Sequence, residues 1–297
     1  IARAYTKKNN IAVCGYHGWQ DWYIGTTTRH KGVPDAVREL THPVPYNDLD
    51  AVVEILKTYP GEFAALIMEP VNTVVPDPGY LESLHDLLRT QGVLLIFDEI
   101  TSGFRLNSSG AHKLINVNPD IVVYGKTIAN GIPMGAIIGR KDIMDYTIKT
   151  FISSVFWTEK VGPASALAFI KKHKKLKLEK KLIETGKKIK KIWYEAAKKN
   201  DLDIEISGID PLASFKINCY NWPAVITFFI QEMLKFNILS TNKCYTNYKH
   251  DKKAINLYRK ACFNVFNKIS KLLASGDLKK HLKGPEKQMG FNRLTKS

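Results

Sequence analysis

Asp98 and Lys126 are the residues best suited to covalent chemistry, a carboxylate and an amine 28 positions apart. Each follows an apolar run. Val93 to Phe97 ends in Asp98-Glu99, and Ile121 to Tyr124 ends in Gly125-Lys126. Short continuous apolar runs mark strands buried on both faces of a parallel sheet. Ligands of open α/β sheets bind just beyond the carboxyl ends of such strands. The spacing leaves room for a loop, a short helix and a strand, so both groups are expected to be buried in one pocket. A desolvated lysine loses its proton more readily and can attack a carbonyl carbon. A desolvated carboxylate needs a cationic partner. Pyridoxal phosphate meets both needs, with an aldehyde for the amine and a pyridinium nitrogen for the acid.

Either feature alone is weak. Asp-Glu after a strand often caps a helix, and a lysine after glycine is usually a surface residue. Their order among other motifs says more. Phe97-Asp98-Glu99, Gly103-Phe104-Arg105, Gly125-Lys126 and Gly131-Ile132-Pro133-Met134-Gly135-Ala136 follow one another. This series closely resembles the class III pyridoxal-phosphate-dependent aminotransferase family. The glutamate-1-semialdehyde aminomutase-like branch is nearest, because it too has DE, GFR and GK followed by MPVGA-like residues. The resemblance covers essentially the whole chain.

What the resemblance implies is specific. The fold is α/β, a fold-type I transferase with a large domain built on a mostly parallel sheet and a smaller C-terminal α+β domain. Lys126 forms the Schiff base with the cofactor and, once freed, serves as general base and acid of a 1,3-proton shift. Asp98 keeps the ring nitrogen protonated. Tyr16 and Ile100 sandwich the ring, with His17 beside Tyr16 in the cofactor site. Glu69-Pro70 falls where the family has an EP pair close to the cofactor. A family threonine that reaches the phosphate of the neighbouring subunit's cofactor falls on Val155, a departure from the family, or, in a shifted alignment, on Thr158. Thr158 is preferred because valine has no hydroxyl to donate. The implied partners are a small-molecule amino donor, a carbonyl acceptor and a second copy of the chain in a homodimer. Aminotransferase and aminomutase chemistry both remain open.

The elements that must position these residues are legible in outline. Ile11 to Tyr16 and Ala64 to Met68 read as strands. Asp48 to Tyr59 has helical spacing, and so does the segment after Pro78, with Leu81, Leu84, Leu87 and Leu88 on one face and Gly92 at its end. Strand and helix therefore alternate, as in a parallel sheet with crossover helices. Gly25 to Pro45 reads as a loop, and Ala136 to Gly139 as a further strand. Ala164 to Lys199 reads as one or two lysine-rich helices. A domain boundary is expected near residue 165, giving domains 1–165 and 166–297. The second mixes strands (Ile204 to Ile206, Ala213 to Ile217) with helices (Thr227 to Phe236, Lys252 to Leu273). Its segments Gln231 to Leu234, Lys249 to Asp251, Gly284-Pro285 and Gly290-Phe291 resemble the family's C-terminal domain.

Charge is unevenly placed. The net charge is +16, yet residues 1–165 carry 15 basic and 17 acidic groups, and residues 166–297 carry 29 and 11. The excess is mostly lysine on amphipathic segments, which points to solvated helix faces and makes nucleic-acid binding unlikely. Cys14, Cys219, Cys244 and Cys262 are widely spaced, without CxxC or zinc spacing, so no metal is expected and the thiols are expected to be reduced. No apolar run has the length of a membrane span, and the N-terminus has no apolar signal core. A cytoplasmic location is expected. The opening residues, Ile1 to Tyr5, read as the end of a helix. Relatives place a phosphate-binding Gly-Ser or Gly-Thr pair upstream of that helix, so an absent N-terminal portion and weak cofactor binding are expected. Two other readings are a truncated, catalytically weak paralogue and, on charge alone, a basic nucleic-acid-binding protein.

Overall fold

The computed structural model describes residues 1–71, 73 and 75–288. It contains two compact units, one of Ile1–Val71 and Val75–Leu176, the other beginning at Lys177. Gly290 and Phe291 lie outside the described residues.

The first unit is built on six strands: β1 Asn10–Cys14, β2 Thr41–Pro43, β3 Phe63–Met68, β4 Leu94–Asp98, β5 Ile121–Tyr124 and β6 Ala136–Gly139. They lie in the order β2-β1-β3-β4-β5-β6. All neighbours pair in parallel except β5 and β6, which are antiparallel. The central strands are apolar on successive residues because both faces are covered. On one face Leu66, Met68, Leu95 and Phe97 pack with Leu81, Leu84 and Leu88 of helix Tyr80–Thr90. On the other, Val13, Ala65, Leu94 and Ile121 pack with Ala2 and Ile143. Helix Leu49–Thr58 starts where Asp48 accepts a hydrogen bond from the Ala51 amide at 2.8 Å, a side-chain N-cap.

The chain passes from β1 outward to β2, then back across to β3 on the other side. The strand order therefore reverses between β1 and β3, the kind of point at which open α/β sheets bind ligands. The expected loop from Gly25 to Pro45 is not wholly irregular: it contains helix Asp35–Arg38 and the edge strand β2. Pro43 suits an edge, where one side of the strand needs no amide hydrogen.

The second unit holds an antiparallel sheet, β7 Ile204–Ser207, β8 Leu212–Ile217 and β9 Lys243–Tyr245, with helices Leu178–Lys199, Trp222–Leu234 and Lys252–Ser275. Trp193, Phe215, Phe229 and Phe266 form its centre, with the Phe215 ring 4.9 Å from Trp193 and 5.2 Å from Phe229. In helix Leu178–Lys199 the buried residues Leu182, Ile189, Ile192, Trp193 and Ala196 keep helical spacing, while Lys187, Lys188, Lys191 and Lys198 face solvent. The lysine excess here lies on a solvated helix face.

The units divide at Leu176/Lys177, eleven residues beyond the boundary expected near residue 165. Helix Val161–Leu176 stays with the first unit because three contacts tie it there. Ser165 Oγ donates to the Ala129 carbonyl at 2.7 Å, Phe169 packs on Phe104, and His173 Nε2 donates to the Phe104 carbonyl at 2.8 Å. At Lys177 the backbone turns left-handed, with φ of 46°, and the next helix begins.

Glu232 is buried in the second unit beside Lys235 and Lys268, which lie 2.5 and 2.9 Å away. Burial pushes its carboxyl upward, but the hydrogen bonds from Lys235, Lys268 and Gln231 outweigh that and hold it below an ordinary glutamate. A depressed folded-state pKa gives stability that is fully present above the unfolded value, about 4.3, and lost as pH falls through the folded value. In urea titrations of parent and Glu232→Gln, the parent should be more stable at pH 6 and the difference should shrink below about pH 4.5. A difference that is constant from pH 6 to pH 3 refutes this.

Candidate active site

The carboxyl ends of β1, β3, β4 and β5 deliver Tyr16-His17, Glu69, Asp98-Glu99 and Lys126 respectively. Asp98 is 5% exposed and is held at both oxygens. Oδ1 accepts from the Ile100 amide at 3.0 Å, and Oδ2 lies 2.8 Å from His17 Nδ1. The other ring nitrogen of His17 is 3.1 Å from the Cys14 carbonyl. Both nitrogens thus face oxygen atoms. His17 is itself buried and stacks on Trp22. Its role in sequence was open; in the structure it fixes the orientation of Asp98.

Glu69 is buried and accepts from the Tyr16 amide at 3.2 Å, tying the end of β3 to the turn after β1. Tyr16 turns outward, 47% exposed, its ring edge-on to Tyr23. Ile100 is half-buried beside Gly125. A Cβ on Gly125 would stand 3.2 Å from Ile100 Cγ2, so glycine lets the two chain segments close together.

Lys126 opens a 3-10 turn, Lys126–Ala129, with a left-handed φ of 45°. Nothing but glycine adopts that conformation without cost, so the surroundings must hold it. The amine donates to Thr101 Oγ1 at 2.7 Å. Lys126 was expected to be buried together with Asp98, and here the structure differs. Asp98 is buried but Lys126 is exposed, because it borders a cavity of about 720 Å³ that is open on one side. Ile100, Tyr124, Met134, Ser153 and Trp157 are among the residues that share this cavity. Partial desolvation still lowers the pKa of the amine below that of an ordinary lysine. Glu69 and Asp98 act against that shift, and Arg105 acts with it.

Sequence reasoning passed over the partner of Asp98 in the Asp-Glu pair. Glu99 is fully buried and accepts four hydrogen bonds. They come from Ala111 N (2.6 Å), His112 N (3.0 Å), His112 Nδ1 (2.7 Å) and Ser102 Oγ (3.1 Å). A carboxylate with all its lone pairs engaged is a strong clamp in a dry setting. It closes the loop from residue 99 to 112. Inside that loop the Arg105 Nε donates to the Thr101 carbonyl, and Thr127 Oγ1 donates to the Gly103 carbonyl, both at 2.8 Å. Phe104 packs against Tyr124 and Phe169. A side chain at Gly103 has no space: its Cβ would stand 2.6 Å from the Glu99 carbonyl and 2.8 Å from the Tyr124 ring. The Gly103-Phe104-Arg105 motif is thus the internal frame of the loop that meets Lys126.

Thr158 is exposed, as are Val155 and its neighbour Trp157. Phe156, Trp157 and Glu159 line the cavity, whereas Asp98, His17 and Thr158 are not among its lining residues. The structure thus brings Asp98, His17, Ile100 and Lys126 into one neighbourhood through adjoining contacts, with Tyr16 on the turn beside them.

The profile described as Aminotransferase class-III matches residues 1–213. Among curated proteins, 3-aminobutyryl-CoA aminotransferase of Cloacimonas acidaminovorans is 38% identical over 177 residues, 57% of this chain and 42% of the relative. Glutamate-1-semialdehyde 2,1-aminomutase 2 of Lachnoclostridium phytofermentans is 34% identical over 234 residues, 71% of this chain and 54% of the relative. The chain spans about half the length of these relatives. Among solved structures, a transaminase with PLP bound superposes with a TM-score of 0.84 at 22% identity, covering 92% of this chain and 70% of that one. An omega-transaminase from Sphaerobacter thermophilus gives 0.80 at 21%, covering 91% and 70%. At that identity the likeness is one of fold, and it agrees with the α/β architecture of a fold-type I transferase.

Proposed function

We infer that this chain, which belongs to the class-III aminotransferase family, takes part in pyridoxal-phosphate-dependent transfer of an amino group. One observation carries the reading. A buried, doubly anchored carboxylate, Asp98, and an amine of lowered pKa, Lys126, stand at neighbouring strand ends, and Lys126 borders an open cavity. That donor set fits a group with an aldehyde at one edge and a ring nitrogen at another. When bound, pyridoxal phosphate supplies a carbonyl carbon for an amine and a ring that accepts electron density.

The chain's own residues supply the rest. Lys126 Nζ would hold the cofactor through its aldehyde and would take up and return the proton moved in the reaction. Asp98, held by His17 and the Ile100 amide, keeps a hydrogen on the ring nitrogen. Tyr16 offers an exposed aromatic face and Ile100 an apolar one, suited to the two sides of a flat ring. The names of the relatives divide between aminotransferase and aminomutase, and the proposed reaction is their common part. Its small-molecule partners are an amino donor and a carbonyl acceptor.

We place two copies together in a homodimer. Ile148, Phe151, Val155 and Trp157 are more than half exposed near the cavity, more apolar surface than a lone unit ordinarily shows in one segment. In that arrangement Thr158 is assigned to the phosphate of the neighbouring copy's cofactor. A reducing compartment, the cytoplasm, suits four cysteines that form no disulfide among the described residues. Among the described residues no helix is long and apolar enough to cross a membrane.

The reading is tested by adding pyridoxal phosphate to the purified chain, reducing with borohydride and mapping the modified peptide. The expected tag is on Lys126. A tag on another lysine, or none, overturns the assignment.

A further inference from the structure

Lys126 donates to a hydroxyl that no requirement of the fold explains. Thr101 is 8% exposed, its Oγ1 lies 2.7 Å from Lys126 Nζ, and the two residues are 25 positions apart. The hydroxyl cannot drift. A β-branched side chain is stiff at χ1, so its oxygen follows the backbone. That backbone is fixed at each step: at Ile100 by Asp98 Oδ1, at Thr101 by Arg105 Nε, and at Gly103 by Thr127 Oγ1. Glu99 and its four donors close the loop behind it. The amine is fixed from the other side by the left-handed backbone at Lys126.

We infer that Thr101 is a positioning residue for Lys126, holding one N–H of the amine so that the nitrogen's lone pair is presented to the cavity rather than to the loop. The inference rests on the proposed role of Lys126 as the amine that bonds the cofactor. An ammonium has three N–H groups and no lone pair, and loss of one proton leaves two N–H groups and one lone pair. If Thr101 accepts one N–H, the lone pair occupies one of the remaining directions, and these lead away from the loop. A carbonyl carbon entering the cavity then meets the nucleophile already aligned, which is worth rate because orientation is set beforehand. The hydroxyl accepts and takes no proton, so the proton-moving role stays with Lys126.

Thr101→Val keeps the shape and removes the acceptor. Thr101→Ser keeps the oxygen but loosens its placement. Glu69, Asp98 and Arg105, the charged groups that act on the amine, are unchanged in both. The ligand-free chain is acylated with a trace of acetic anhydride between pH 7 and 11, and Lys126 is read against exposed Lys31 by peptide mass. The charged amine loses an acceptor in Thr101→Val, so its neutral form should be reached at lower pH. Relative labelling of Lys126 at pH 8 should rise about 3- to 10-fold, and Thr101→Ser should stay within about twofold of the parent. In a second arm, pyridoxal phosphate and borohydride at pH 10.5 compare amines that are largely neutral. Capture by Thr101→Val should there be about tenfold slower. A folded Thr101→Val chain that labels and captures like the parent overturns the inference. If the parent captures no cofactor at Lys126 while labelling shifts as expected, the proposed function fails and the hydrogen bond stands without its catalytic purpose, which overturns the positioning role alone.

Discussion

Lys126→Ala is expected to leave the chain folded, to remove the visible absorbance that pyridoxal phosphate gives with the parent, and to slow amino-group transfer by at least about 1,000-fold. Three decades correspond to about 4 kcal/mol of barrier. The size follows from what the amine does in the proposed reaction. It bonds the cofactor and moves the proton, and no nearby group replaces both acts. Arg105 has no amine that could bond an aldehyde, and Thr101 offers only a hydroxyl. Stability should change little. Lys126 is exposed, its side-chain bond among the described residues is to Thr101, and its partly desolvated charge adds nothing to folding. Alanine inherits the left-handed backbone, whose strain is similar for two unbranched residues such as Lys and Ala. The thermal midpoint should therefore stay within a few degrees of the parent while absorbance and turnover disappear. Measurable turnover in the alanine variant, with cofactor still captured, would show that another amine carries the chemistry.

Asp98→Asn is the second large effect, about 100-fold or more in proton transfer, or about 2.7 kcal/mol. The substitution keeps the shape and one oxygen. That oxygen can go on accepting from the Ile100 amide. The new amide NH₂ then faces His17 Nδ1, which accepts in the tautomer that carries its hydrogen on Nε2, beside the Cys14 carbonyl. The hydrogen-bond pattern survives by a change at His17, so the fold is retained. What is lost is the negative charge that holds a hydrogen on the ring nitrogen. The measurement is the rate of hydrogen exchange at the substrate's reacting carbon, in parent and variant, with cofactor saturating. A variant within threefold of the parent would make Asp98 a structural residue.

Much of this arrangement was legible from a few residues. The runs Val93 to Phe97 and Ile121 to Tyr124 announce β4 and β5, because strands covered on both faces have no polar positions. Asp98 and Lys126 could be placed at their ends without a structure. The second acid could not. Asp98 and Glu99 are adjacent in sequence, yet neighbours at a strand end point to opposite sides, and each found its own histidine. Nothing periodic links Glu99 to His112 or Thr101 to Lys126, since hydrogen bonds across a loop follow its fold and leave no spacing rule. The edge strand β2 was hidden for a related reason. It is three residues long and is held by pairing with β1, not by apolar content of its own. The boundary expected near residue 165 falls inside helix Val161–Leu176, because charge composition changes before the packing does.

The order of the strands also sets the sequence of events during folding. Among the described strands of the larger sheet, β5 and β6 are the single antiparallel pair, joined by a loop of eleven residues that carries Lys126. A hairpin closes in microseconds, whereas parallel pairs must wait for their crossovers to be ordered. The amine-bearing turn can therefore form early and locally. Asp98 reaches its histidine only when β4 has docked beside β3, and β1 beside that, across 81 residues of chain. The histidine that orients the carboxylate arrives at the last, slowest stage, so a kinetically trapped or partly refolded chain carries a competent-looking lysine beside an acid that is not yet anchored. Recovery of cofactor capture after dilution from denaturant should lag behind recovery of secondary structure for that reason.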